Sequence, residues 1–174
     1  MDEFLLSIYN SIFTDNQVYK RFRTFVSKEN ISEDIFEKSY SPDQIPLLNK
    51  LLCHLFPFIE SFSYDEDKLS SNWKHIILSW ASFNNPNKTQ EQLINLSYGL
   101  LDINPLFQEK LKGKKNTLDN IRRDGINCML ASRAAYFVSE DSFTREKAKF
   151  IYKAFGINTK VVSKSEFLSI FFTL

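Results

Sequence analysis

Side chains able to move protons or hold metals are few and scattered along this chain. His54 and His75 are the only histidines, so imidazole chemistry must use one of them or give way to carboxylates. Cys53 and His54 are adjacent, which on a helix points them about 100° apart, and no second ligand pair follows at the spacing of a zinc site. His75 borders a stripe of tryptophan and isoleucine and reads as a residue at the edge of a core. Asp65-Glu66-Asp67 is acidic enough for a calcium loop, but Ile76 stands where a bidentate glutamate is needed and Ser70 where the turn needs glycine. These carboxylates suit the N-terminal end of a helix dipole instead. Glu140-Asp141 is a carboxylate pair, yet adjacency in sequence does not place two acids on one substrate, so glycosidase or nuclease chemistry gains no support. A phosphate-cradling glycine loop and a serine elbow are both missing from the sequence. The expectation is no catalytic residue, no cofactor and no metal. An enzyme with dispersed carboxylates is kept as a third class.

Charge offers a second kind of chemistry. Residues 1–109 carry 9 basic and 15 acidic side chains, and residues 110–174 carry 13 and 6, so nets of −6 and +7 lie behind a total of +1. Two faces of one domain that complement each other would produce this layout, and so would a basic surface for an anionic partner. Lys110, Lys112, Lys114, Lys115, Arg122 and Arg123 form the densest basic cluster, with Asp119 the one acid among them. They are reasonable phosphate contacts, although lysines in a last helical turn also suit the dipole.

The stretch from Ala148 to Ser165 resembles the helix-turn-helix of DNA-binding regulators. Ile151, Phe155, Gly156, Ile157 and Val162 match its apolar positions and turn glycine. The resemblance implies a recognition helix on which Asn158, Thr159, Lys160, Ser163 and Lys164 make polar contacts. Tyr152 departs from it where a small residue is expected, and Ser165 where an apolar one is.

The elements that must position these groups read as helices. The 174 residues are 43% hydrophobic and 25% charged, the mixture of one globular domain. With 4 Gly and 5 Pro, tight hairpins are disfavoured. Stripes at helical spacing occur at Phe4, Leu5, Ile8 and Ile12, at Val18, Phe22, Phe25 and Val26, and most regularly at Trp73, Ile76, Ile77, Trp80 and Phe83. Ser41-Pro42-Asp43-Gln44, Thr89-Gln90-Glu91-Gln92 and Ser163-Lys164-Ser165-Glu166 are capping boxes that start helices. Asn104-Pro105 is expected to open a short helix closed at Gly113. Gly125, Cys128, Ser132 and Ala135 form a narrow face of small residues, fit for close helix packing. The apolar tail, Phe167 to Phe172, must dock on the body or on a partner.

The fold expectation is therefore all-α, a compact irregular bundle of about seven to nine helices in one domain over residues 1–174, with a candidate subdomain boundary near 113–116. No run reaches the roughly 18 apolar residues of a membrane span, and the start, Met1-Asp2-Glu3, is acidic, so a cytoplasmic protein without membrane contact is expected. The leading functional expectation is a non-enzymatic protein that binds another protein, of inhibitor, immunity or adaptor type, through a helical surface. The alternative is a nucleic-acid-binding regulator using Lys112, Lys114, Lys115, Arg122, Arg123, Lys160 and Lys164.

Overall fold

The computed structural model describes residues 14–16, 19–20, 23, 66–84, 87–104, 106–108 and 118–172. Among these, five helices and two short strands follow in the order α1 (Glu66–Asn84), α2 (Gln90–Leu101), α3 (Leu118–Ala131), β1 (Tyr136–Val138), α4 (Ser142–Phe155), β2 (Lys160–Val162) and α5 (Lys164–Phe171). The described part is mostly helical. The two stripes before residue 27, the Ser41 capping box, Gly113 and the 113–116 boundary lie wholly or largely outside the described residues. No helix among the described residues is long and apolar enough to cross a membrane.

Helix α1 begins with Glu66 and Asp67 at the positive end of its dipole and ends at Asn84. Its stripe of Trp73, Ile76, Ile77 and Trp80 is buried, as the spacing predicts. The Trp73 indole donates to Ser97 Oγ on α2 at 3.2 Å, and its ring meets Phe150 of α4 edge-on at 5.5 Å. One side chain thus fixes two helices, using its apolar body and its single donor. The capping box of α2 is complete: Gln92 N–H donates to Thr89 Oγ1, and Thr89 N–H to Gln92 Oε1. After α2 the chain turns at residues 102–104 and 106–107, and most of the segment expected as a short helix up to Gly113 lies outside the described residues. Asn104 Oδ1 accepts the Leu106 N–H at 2.9 Å, which stabilises a turn in place of a first helical turn.

Helices α2 and α3 pack closely because Gly125 has no side chain. A β-carbon there would lie 2.7 Å from Asn95 Oδ1 and 3.3 Å from Tyr98 Cβ. Cys128, one turn on, is fully buried, but the helix ends at Ala131, so the small face stops there: Ser132 lies in the following turn and Ala135 is exposed.

The two strands correct the purely helical expectation. β1 and β2 run parallel, with Tyr136 beside Lys160, Phe137 beside Val161 and Val138 beside Val162, and α4 forms the crossover that parallel strands require. Phe137 and Val161 face inward, while Tyr136, Val138, Lys160 and Val162 share the opposite face of the sheet. The β-branched and aromatic content of both triplets favours this pairing. The helix-turn-helix pattern is also corrected. Gly156 does close α4 in the left-handed conformation, at φ 67°, but the chain then extends through β2, and the next helix starts at Lys164 behind its cap Ser163.

Replacing Gly125 tests the close approach of α2 and α3. Gly125→Val is expected to destabilise the fold by about 1–3 kcal/mol through overpacking. Gly125→Ala is expected to cost less, because the Asn95 amide can swing away and alanine favours the helix by about 1 kcal/mol over glycine. Denaturant midpoints at constant m-value measure both; a valine variant as stable as the parent refutes this packing.

Candidate protein-binding surface

The most polar part of the interior is closed to substrates. Asp102, the C-cap of α2, and Lys147, on α4, are both fully buried and joined by a 2.7 Å salt bridge. Arg23 approaches the same carboxylate at 3.4 Å, and the Tyr19 hydroxyl donates to it. The Lys147 ammonium also lies 5.0 Å from the centre of the Tyr98 ring, whose hydroxyl donates to Thr144 Oγ1. A carboxylate and an ammonium withdrawn from water survive only with good partners, and here each has them. The cluster binds the segment carrying Tyr19 and Arg23 to α2 and α4. It is enclosed, so its work is architectural.

Several other reactive groups among the described residues are also committed, while His75 is exposed on α1 and Cys53 and His54 lie outside the described residues. The Cys128 thiol is pushed up to about 12 by burial, which keeps it protonated and unreactive. The Tyr152 hydroxyl donates to the Cys128 carbonyl at 2.6 Å, and burial raises its pKa as well. Glu140 and Asp141 serve different helices: Glu140 Oε1 accepts the Lys164 N–H of α5, and Asp141 Oδ1 accepts the Thr144 N–H of α4. Glu166, whose pKa is lowered by the backbone and hydroxyl of Ser163, completes the α5 capping box. Among the described residues no group of three His, Cys, Asp or Glu could hold a metal ion.

The described basic residues of the set lie on separate elements. Arg122 and Arg123 are exposed early on α3, where Arg122 pairs with Asp119 at 3.6 Å. The helical rise puts Arg123 about 12 Å along the axis from the Ala131 end that leads to β1. Lys160 stands on β2 with its ammonium 5.8 Å from the centre of the Tyr136 ring, and Lys164 is the first residue of α5. Lys110, Lys112, Lys114 and Lys115 lie outside the described residues.

What the surface does gather is apolar area. Helix α5 touches the body through Phe167 and Phe171, which meet the Tyr136 ring at 5.4 and 5.7 Å. None of its residues is buried. Leu168, Ile170, Phe171 and Phe172 are all exposed, Phe171 by 56% and Phe172 by 67%. Val138, at 40% exposure, adds to this apolar area from the strand beneath. Beside it, a cleft of about 500 Å³ opens at the amino ends of the strands, lined by Arg133, Tyr136, Asn158 and Lys160 among others. The Thr159 hydroxyl closes its floor, lying 2.8 Å from the Ala134 carbonyl and 3.2 Å from those of Ala131 and Ser132. Periodicity marks the tail as apolar, but the uncovered face follows from the short reach of α5 over a two-stranded sheet.

Comparison with known proteins finds no matching family model, curated protein or solved structure.

Two measurements test these assignments. Asp102→Asn removes the carboxylate beside Lys147 and is expected to cost about 3–5 kcal/mol in denaturant unfolding; a loss under about 1 kcal/mol would mean that the cluster contributes little. At the surface, Arg133 donates two hydrogen bonds to Glu91, the shorter at 2.6 Å, and lowers the Glu91 carboxyl from 4.5 to about 2. Because folding lowers this pKa, the pair stabilises the fold above about pH 4.5 and loses its effect as the pH falls toward 2. In an NMR titration, Arg133→Ala is expected to raise the Glu91 pKa toward its ordinary value, with the helix backbone and Thr89 still holding it lower.

Proposed function

We propose that this chain is a non-enzymatic protein-binding protein of inhibitor, immunity or adaptor type, which engages its partner through the exposed apolar side of α5. The observation that supports this most is a helix of eight residues without one buried side chain, displaying Leu168, Ile170, Phe171 and Phe172 to solvent. Apolar side chains gathered on one surface element mark interaction sites, and aromatic residues are enriched at interface centres. Leu168 and the C-cap Phe172 are both exposed at the carboxyl end of the helix. Phe167 and Phe171 hold the helix to Tyr136 and leave that outer row available.

The test compares immobilised parent with Leu168→Asp/Phe172→Asp, a variant that spares the Tyr136 contacts. From the native source, a protein identified by mass spectrometry is expected to be retained by the parent and lost by the variant, with circular dichroism unchanged. Identical capture by both sinks the proposal. The nucleic-acid alternative rests on Lys160 and Lys164, both exposed near the start of α5. It requires duplex retention that falls steeply between about 50 and 200 mM salt and disappears in Lys160→Glu/Lys164→Glu. The parent is expected to bind random duplex DNA no better than about 10⁻⁴ M at physiological salt.

A further inference from the structure

The cleft at the amino ends of the strands is lined by cations without an acid. Two short segments build it, Ser132 to Tyr136 and Asn158 to Lys160, and the parallel pairing of β1 with β2 holds them side by side. Arg133 comes from the first segment and Lys160 from the second, and no Asp or Glu is among the lining residues. The carbonyls of Ala131 and Ser132, at the carboxyl end of α3, carry the negative charge of the helix dipole and would repel an anion. Both lie 3.2 Å from the Thr159 hydroxyl at the floor, which offers them a donor.

Each wall keeps an unused donor. Arg133 directs Nε and Nη2 at one oxygen of Glu91, at 3.1 and 2.6 Å, and its Nη1 has no partner among the described residues. The Lys160 ammonium lies 5.8 Å from the centre of the Tyr136 ring and meets no carboxylate among the described residues. The exposed side-chain amide of Asn158 has no hydrogen-bond partner among them either. A single carboxylate arriving here would repeat what Glu91 already supplies to Arg133. A phosphate monoester carries about two negative charges near neutral pH, and its three terminal oxygens can accept from Arg133 Nη1 and Lys160 together while Glu91 keeps its place. The cleft, about 500 Å³, is larger than a phosphate alone fills and lies within the roughly 300–1,000 Å³ of sites for small organic ligands.

From this we infer that the cleft between Arg133 and Lys160 binds a small phosphate monoester, up to a mononucleotide in size, with the phosphate held by the two cations and the Asn158 amide donating to its polar body. The site uses no side chain of α5, so its failure and the failure of the protein-binding reading are separate results.

The probe is adenosine monophosphate, titrated into the isotope-labelled full chain at low salt and followed by NMR. The amides of Arg133, Asn158 and Lys160 are expected to shift with a Kd below about 1 mM. Adenosine, which lacks the phosphate, and succinate, a dicarboxylate, are expected to bind at least about tenfold more weakly. Lys160→Ala is expected to raise the Kd about tenfold with circular dichroism unchanged. Lys153→Ala removes the same charge from α4, where Lys153 faces Asp67 at 3.7 Å, and is expected to leave the Kd within about twofold. Glu91→Gln deletes the acid bonded to Arg133 and is expected to tighten binding about three- to tenfold. The absence of any shift at about 20 mM adenosine monophosphate overturns the inference. So does equal weakening by Lys160→Ala and Lys153→Ala, or equal affinity for adenosine or succinate. Tighter binding of a mixed-sequence oligonucleotide, whose phosphates are diesters, overturns it in favour of nucleic acid.

Discussion

Asp102 is the carboxylate around which the described chain is gathered. It ends α2, takes a 2.7 Å salt bridge from Lys147 on α4, and receives Arg23 and the Tyr19 hydroxyl from a segment about eighty positions earlier. Hydrophobic burial alone would hold these elements with some freedom to slide, because apolar contact has no direction. An ion pair away from water has a narrow optimum in distance and angle, and misplacing either partner exposes the full cost of desolvation. The cluster therefore fixes how α2 and α4 sit against each other. Trp73, bonded to Ser97 and stacked edge-on against Phe150, sets α1 against the same pair.

From that frame the geometry passes outward through α3. Gly125 lets α3 approach α2 at Tyr98, the residue that also lies against Lys147. The end of α3 is then tied to the start of β2 by Thr159, whose hydroxyl lies among the Ala131, Ser132 and Ala134 carbonyls. The strands thus inherit their position from the core. Helix α5, held by two aromatic contacts to Tyr136, is the least anchored element of the described chain. A peripheral helix of this kind opens at low free-energy cost, as elements used for binding commonly do.

Local features were the most legible in the sequence. The Trp73 stripe, the Thr89 and Ser163 capping boxes, the Gly156 cap and the small face at Gly125 each depend on residues within one or two helical turns, and each has its expected role. The strands escaped because three residues show a single alternation, too little to separate from a helical spacing. That ambiguity also produced the helix-turn-helix pattern, whose apolar position Val162 is the last residue of β2. Lys147 was visible in part: it lies three residues after Thr144 and four before Ile151, on the buried face of α4. Its partner was not, since 45 positions separate it from Asp102 and nothing local links them. The outer row of α5 reads as apolar in sequence, but whether a face is covered depends on tertiary reach.

The burial of Lys147 gives α4 an unusual chemical property. Lys149 and Lys153 stand exposed on the same helix, while Lys147 is withdrawn completely. An acylating reagent meets the two outer amines in the native protein but reaches the inner one only after the core has come apart. One short helix thus carries two surface amines as an internal standard and a third that records global opening. Lysine modification along α4 consequently reads the lifetime of the folded state, with no dye or tag added.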